Sequence, residues 1–315
     1  MAVHNTLTCV IAGALLLLGS SAIAGERHHQ DQGTEGNPAL LQQADALQYN
    51  HEFDAALQLL SRVIAQGQYV EQARLMQARI LLAQGRIDAA RESCAALMGK
   101  ASLTITGTCL LEVRGRAAFS ENDQQTLEQA YTQLQQLAVP LRAERSDQIS
   151  PEIFVWQRQL LAEQAFLLGR FVESIQWLNY ADYNEHPTVN QIRLLDSWLA
   201  MKQPERLFAV HDHCPQVGKL PPDSIIVRLA AAERQRSTEQ CWQKLAAERI
   251  AIRVARADPL HTSDLAYYFV HVAPNAAQAQ QYASQNYAVA REPADQRLLL
   301  AAQALPTQPE ASNEN

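Results

Sequence analysis

The feature that most constrains the fold of this chain is a segment that recurs after 34 residues. Residues 44–47 (ADAL) align with residues 78–81 (ARIL), and the turn at 84–87 (QGRI) reappears at 168–171 (LGRF) behind a third copy that starts at 162–165 (AEQA). A fixed period of this length is typical of proteins in which each unit is one pair of helices and neighbouring units share a continuous core.

The residue types at the repeated positions suit a tight pair of helices. A small residue midway along each first helix lets the second helix cross closely, and a glycine in the turn permits positive φ without steric cost. These positions are held by Ala44, Ala78 and Ala162, by Gly85 and Gly169, and by the packing residues Phe53, Ile87 and Phe171. In these residues the chain resembles the tetratricopeptide repeat (TPR) family, over residues 38–187 and more loosely beyond. Within that family it looks like an exported bacterial-type TPR protein.

The chain departs from the TPR pattern in three places. Its first helices lack the Trp and Tyr of the family, and His51 stands where the first unit should have its turn glycine. The unit that begins near Cys109 is irregular, and it is followed by an insertion that contains Pro140 and Pro151. We therefore expect about four repeats before residue 187, of which one is irregular.

Composition agrees with a helical solenoid, because glycine is scarce at 12 residues and aromatic residues make up only 6% of the chain. We predict an all-α fold, a right-handed superhelical solenoid of about six antiparallel helix pairs. The predicted division is a cleavable signal peptide at 1–24, a flexible lead-in at 25–37, TPR-like repeats at 38–187, further helical hairpins at 188–304 and a disordered tail at 305–315.

The signal peptide is predicted from an apolar run at residues 7–19, which is shorter than the roughly 20 residues that cross a bilayer. Ala22 and Ala24 follow it in the small-x-small pattern of a cleavage site, before Gly25. Cys9 lies inside the run without the sequence context of a lipoprotein anchor. The alternative is a buried N-terminal helix, although the run has no amphipathic face. Export predicts a periplasmic or secreted protein.

Four cysteines remain after removal of the signal peptide, and an even number in an exported chain suggests two disulfides. Three pairings are possible. We favour the short-loop pairing, Cys94 to Cys109 and Cys214 to Cys241, because it requires only neighbouring helices to meet. The alternative is four buried thiols.

Several classes of function lack support in the sequence. A net charge of −7, with no basic stripe, argues against nucleic-acid binding. Phosphate loops, nucleophile elbows, zinc-protease motifs and dinucleotide fingerprints are missing, so we predict neither catalysis nor a cofactor. The metal-ligand types at residues 211–214 (HDHC) make His211 and His213 weak candidates, and His28 with His29 weaker ones, because their spacing is wrong for a metal site.

A partner-binding surface is predicted along the concave groove that the first helices line. The heat-shock chaperone adaptors of the TPR family clamp a terminal carboxylate there with Lys and Asn, but the equivalent positions hold other residues, such as Leu41 and Met76. The groove would present a mixed polar surface with one aromatic ring, at Asp45, Gln48, Arg79, Gln159, Glu163 and Phe166. The same positions could be plain solvated faces, and the aromatic run at 267–269 (YYF) is expected in the core.

Together these features predict an extracytoplasmic scaffold, a monomer or weak oligomer, that binds another envelope protein or an extended peptide. It would bind no nucleic acid and would not insert into the membrane after signal removal. The alternative is a metal- or small-molecule-binding accessory protein that uses the region around His211 and Cys214. Repeat scaffolds serve many ligands, so the architecture does not identify the partner.

Overall fold

The computed structural model of the chain describes residues 36–138, 151–216, 218–236, 240–257 and 260–306. Within these ranges it contains helices and no strand. The α-helices are α1 (Asn37–Tyr49), α2 (Phe53–Gln66), α3 (Val70–Ala83), α4 (Ile87–Ala95), α5 (Leu103–Ser120), α6 (Gln124–Ala138), α7 (Pro151–Leu167), α8 (Phe171–Leu178), α9 (Thr188–Ala200), α10 (Glu205–Val210), α11 (Asp223–Arg236), α12 (Cys241–Ala255), α13 (Thr262–His271), α14 (Ala276–Val289) and α15 (Pro293–Gln303).

Successive helices pack as pairs, α1 with α2 through α13 with α14, and each pair packs on the next. The all-α solenoid of helix pairs predicted from the sequence is therefore confirmed. The described residues form seven pairs and a last helix, α15, against the prediction of about six pairs. Four of these pairs lie before residue 187, as predicted, and three lie after it.

The turn inside the first five pairs has one backbone geometry. The second residue after each first helix has a positive φ, between 57° and 75°, at His51, Gly85, Asn122, Gly169 and Lys202. Its amide donates to the carbonyl three residues back, and the next amide donates to the carbonyl five residues back, as with Gly85 to Leu82 and Arg86 to Leu81. These paired bonds satisfy the carbonyls at the helix end. The turn therefore repeats even where glycine does not.

The core lies between the helices of each pair and continues from pair to pair. Ala44, Ala78 and Ala162 are fully or almost fully buried, as the close helix crossing requires. Ala162 also accepts, through its carbonyl, a 2.8 Å bond from the buried Ser174 hydroxyl of α8. Small residues at these positions thus bring paired helices into contact.

The structure joins Cys94 to Cys109 and Cys214 to Cys241, which is the pairing preferred from the sequence. The first bond links α4 to α5, and the second links the loop after α10 to the start of α12. Next to the second bond, the buried Glu233 carboxylate accepts bonds of 2.9 Å from the amides of Trp242 and Gln243. This carboxylate caps α12 and holds its N-terminus against α11.

The C-terminal helices return to the N-terminal repeats. Between α14 and α15, the Arg291 amide donates a 2.6 Å bond to the Ala83 carbonyl, and Ala290 is buried in the core of α1–α3. The His261 ring lies 5.0 Å from the Tyr49 ring. A chain that would otherwise form an open solenoid therefore has contact between its two ends.

The proposed signal peptide, with Cys9, lies outside the described residues, as do His28, His29 and nearly all of the predicted lead-in and tail. Among the helices that are described, none has the length and apolar character needed to span a membrane.

Candidate functional site

A cavity of about 1460 Å³ lies on the inner side of the C-terminal half. We call it the central cavity. Its walls are formed by side chains of α9, α11, α12, α13 and α15, with Tyr49 of α1 and Phe166 of α7 at its N-terminal side. Its volume exceeds the roughly 300–1,000 Å³ usual for sites of small ligands, so it has room for a peptide segment.

Exposed apolar side chains are concentrated in the central cavity. In the described part of the chain, eleven large hydrophobic side chains remain exposed, and five of them line this cavity. These five are Tyr49, Val189, Ile252, Leu260 and Leu300. Apolar groups gathered in one concave surface, in place of scattered single residues, indicate a binding site.

One wall of the cavity is fixed by an arginine between two helices. Arg228 of α11 makes a bidentate ion pair with Asp196 of α9, at 2.7 and 3.0 Å, and its guanidinium lies 4.4 Å from the centre of the Tyr267 ring. The adjacent carboxylate charges raise the pKa of Arg228 despite its burial, so this group stays charged. The arrangement holds α9, α11 and α13 together and places Tyr267 on the cavity wall, whereas Tyr268 and Phe269 of the same aromatic run are buried.

A second ionic cluster joins α11, α12 and α13. Asp223 pairs with Arg249 at 2.8 Å and with Arg253 at 3.7 Å, and Arg253 also lies 3.5 Å from Asp264. Burial raises the pKa of Asp264 to about 6, and the neighbouring Arg228 and Arg253 only partly offset this effect. Asp264 is therefore the carboxylate in this cluster whose charge changes in the mildly acidic range.

The remaining arginines of the cavity have no carboxylate partner. Arg234, Arg256 and Arg297 form no ion pair with any residue in the described ranges, and Arg234 donates only to the His271 carbonyl. The lining carboxylates are largely paired, since Asp196, Asp223, Asp264 and Glu292 each contact an arginine. The unpaired charge of the cavity is consequently positive, although the chain as a whole carries −7.

Phe166 lies between two arginines, Arg297 of the cavity lining and Arg193 beside it. The Arg193 guanidinium is 5.3 Å from the centre of its ring and that of Arg297 is 4.7 Å away, on helices α9 and α15. Phe171 contacts the same ring at 5.3 Å. Cation–π contacts hold both guanidiniums at the edge of the cavity.

The N-terminal part of the inner face has a different arrangement of charges. Arg116 of α5 pairs with Glu163 at 2.9 Å and with Glu292 at 3.4 Å, and Glu163 also pairs with Arg193 at 3.3 Å. Glu112, one turn before Arg116, is buried, and burial raises the pKa of its carboxyl. These arginines and carboxylates neutralise one another within the chain. Glu292, the residue before α15, connects that helix to the network.

The predicted groove residues are distributed over these two environments. Phe166 lines the central cavity, and Glu163 belongs to the ionic network beside it. Arg79 lies near enough to Asp45, Glu112 and Glu292 for its charge to favour the ionised form of each carboxyl. Asp45 is exposed, and Gln48 and Gln159 are half-buried, outside the cavity lining.

The histidines at residues 211–214 have separate partners. The Tyr183 hydroxyl lies 2.9 Å from Nε2 of His211, while His213 stacks on Phe208 with ring centres 5.3 Å apart. Cys214 is in a disulfide. Within the described ranges, no three His, Cys, Asp or Glu residues are grouped so that they could hold a metal ion.

The arginines of the cavity were not predicted as site residues from the sequence, namely Arg228, Arg234, Arg249, Arg253, Arg256 and Arg297. The turn that should mark the fifth pair carries Lys202 in place of glycine, so the repeat could not be followed into α11–α15. A useful signal was present, because five of these arginines fall within residues 228–256 of an acidic chain.

Comparison with known proteins adds little to this description. No protein-family model matches the chain, and no curated protein matches it. Among solved structures, the chain is similar to a thermophilic TPR protein of Thermus thermophilus, with 17% identity, a TM-score of 0.44, and coverage of 68% of this chain and 98% of that one.

Proposed function

We propose that this protein is an extracytoplasmic scaffold, located in the periplasm, that binds a segment of another envelope protein in the central cavity. The observation that carries the proposal is the set of five exposed apolar side chains that share one cavity with unpaired arginines. Burial of such a surface contributes roughly 25 cal/mol per Å², and a cavity of this size accommodates an extended chain.

The proposed compartment is supported by the sequence at residues 7–24 and by the two close pairs of cysteines. Disulfides persist in exported proteins and are rare in the cytosol. Thiol counting on denatured protein from its native host tests this part of the proposal. We expect no free thiol among Cys94, Cys109, Cys214 and Cys241, and four free thiols would contradict an oxidising compartment.

Site-specific photo-crosslinking tests the binding surface. A photoreactive residue would replace Leu300 in the cavity or, as the matched control, Leu103, which is 88% exposed but lies outside the cavity lining. We expect one defined envelope protein to be crosslinked in the native host from position 300 and not from position 103. Equal crosslinking from both positions, or crosslinking from position 103 alone, would contradict the cavity as the binding surface.

Within the described ranges the metal-binding alternative has no supporting geometry, because His211 and His213 contact different aromatic residues and Cys214 is bonded to Cys241.

A further inference from the structure

The charges of the central cavity bear on the chemistry of its ligand. Three of its arginines, Arg234, Arg256 and Arg297, form no ion pair with the described residues. The only lining carboxylate without an arginine partner there is Asp295. It accepts a 2.6 Å bond from the Asn286 amide and a 3.1 Å bond from the Glu292 backbone amide. Asp295 thus has its own partners and does not neutralise the free arginines.

The protonation of Asp295 increases this imbalance. Burial and the adjacent Glu292 charge raise its pKa, which favours the neutral form of this carboxyl. Arginine remains charged at every physiological pH. The cavity therefore holds cations that the described part of the chain leaves unbalanced in a partly enclosed place, where an opposite charge is worth more than at an open surface.

The position of Arg297 suits an incoming anion. Its guanidinium is held over the Phe166 ring at 4.7 Å, and Arg193 approaches the same ring at 5.3 Å. Arg193 pairs with Glu163 at 3.3 Å, whereas Arg297 makes no ion pair with a described residue, and the more distant Asp196 only favours its charged form. Stacking on the ring leaves the edge of the Arg297 guanidinium and its N–H donors available to a planar carboxylate, and a bidentate geometry is favoured for such a pair.

We propose that the ligand of the central cavity is an acidic segment of a polypeptide, with carboxylates that engage Arg297, Arg256 and Arg234 and apolar side chains that contact Leu300 and Ile252. This inference rests on the proposed function and specifies the partner of that same site. Arginines without an ion pair lie in the same cavity as the exposed Leu300 and Ile252. This combination favours a ligand segment that alternates acidic and apolar side chains over a segment that is only acidic.

Fluorescence anisotropy with defined peptides tests the inference on the purified protein. The probes are labelled ten-residue peptides that alternate Leu with Glu, with Gln or with Lys, so that only the charge varies. We expect the Glu peptide to bind at least tenfold more tightly than the Gln peptide, the Lys peptide not to bind, and binding to weaken as salt is raised. Equal affinity for the Glu and Gln peptides would overturn the proposal.

Variants locate the binding. Arg297→Gln is expected to weaken the Glu peptide about three- to tenfold without affecting the Gln peptide. Arg62→Gln, which removes the same charge from an exposed position of α2 outside the lining of the central cavity, should change neither. If Arg297→Gln unfolds the protein, as judged by circular dichroism, Arg256→Gln replaces it. A loss from Arg62→Gln equal to that from the cavity variants would show general charge attraction and overturn the assignment.

Free glutarate separates a peptide ligand from a small dicarboxylate. We expect glutarate to compete only at concentrations at least a hundredfold above those of the Glu peptide, and equal potency would contradict a polypeptide ligand. Failure of this inference is distinguishable from failure of the proposed function. If the envelope protein crosslinked from position 300 contacts the cavity through a segment without Asp or Glu, the scaffold function stands and the acidic ligand is wrong.

Discussion

The inner faces of the N-terminal and C-terminal parts of this protein use arginine in opposite ways. In the N-terminal part, Arg116 is matched by Glu163 and Glu292, and the side chains of Arg116 and Glu163 are each only 14% exposed. In the C-terminal part, Arg234, Arg256 and Arg297 line a cavity without a carboxylate partner in the described chain. The first arrangement stabilises the fold, and the second leaves charge available to a ligand.

This difference follows from where the chain returns on itself. The α14–α15 connection reaches α3 through the Arg291–Ala83 bond and α5 through Glu292, so it supplies carboxylate to the N-terminal face. No described segment supplies a paired carboxylate to Arg234, Arg256 and Arg297. One inner face is therefore neutralised within the chain, and the other is the face that we propose for binding.

The largest expected effect concerns the matched face. Glu163→Gln removes the carboxylate shared by Arg116 and Arg193 and leaves two largely buried guanidiniums with less compensation. We expect the free energy of unfolding to fall by roughly 3 kcal/mol, as measured by urea denaturation. The control is Glu128→Gln, since Glu128 pairs with Arg170 at 2.6 Å but both side chains are about 40% exposed (41% and 38%). We expect that change to cost less than about 1 kcal/mol. Equal losses would contradict the structural role of the matched face.

Within the cavity wall, Asp264 is expected to make stability depend on pH. Because burial raises its pKa from 3.8 to about 6, the folded protein binds a proton between these values that the unfolded chain does not. Its contribution to stability therefore rises as the pH falls from about 7 to 4, by at most about 3 kcal/mol. Asp264→Asn should remove this dependence. Urea midpoints between pH 4.5 and 7.5 measure it, and Asp88→Asn, at an exposed site, is the control. Parallel pH profiles for wild type and Asp264→Asn would contradict the prediction.

A smaller effect is expected at the turn between the two helices of a pair, which recurs along the chain. Lys202 has a φ of 57°, in the left-handed region where a side chain is costly, whereas Gly169 occupies the equivalent position of the preceding pair. Lys202→Gly should raise the free energy of unfolding by about 1 kcal/mol, and Gly169→Ala should lower it by a similar amount. Both changes should be visible as shifts of the melting temperature. A destabilised Lys202→Gly variant would show that the lysine side chain contributes more than its backbone conformation costs.

The smallest effect on the stability of the protein is expected from replacement of an unpaired arginine of the cavity. Arg297→Gln breaks no ion pair of the described chain and removes only the cation–π contact with Phe166, so the free energy of unfolding should fall by only about 0.5 kcal/mol. The same urea series as for Glu163→Gln measures it. A loss comparable to that of Glu163→Gln would place Arg297 with the structural arginines and remove the distinction between the two faces.

The helix pairs were predictable from the sequence, because the spacing of Ala44, Ala78 and Ala162 reflects a local requirement for close helix crossing. The central cavity was not. Its formation depends on contacts between residues far apart in the chain, such as Arg291 with Ala83, which have no periodic signal. Phe166 was found because it lies in the third copy of the repeat, whereas Arg228 and Arg297 lie where the turn signals are lost.

Amide hydrogen exchange of the purified protein, with and without the peptide that alternates Glu and Leu, tests the division of the inner face most directly. The account predicts slower exchange in α11, α13 and α15, which line the central cavity, and unchanged exchange in α1–α4. Protection confined to α1–α4, with no change in α11, α13 and α15, would contradict it.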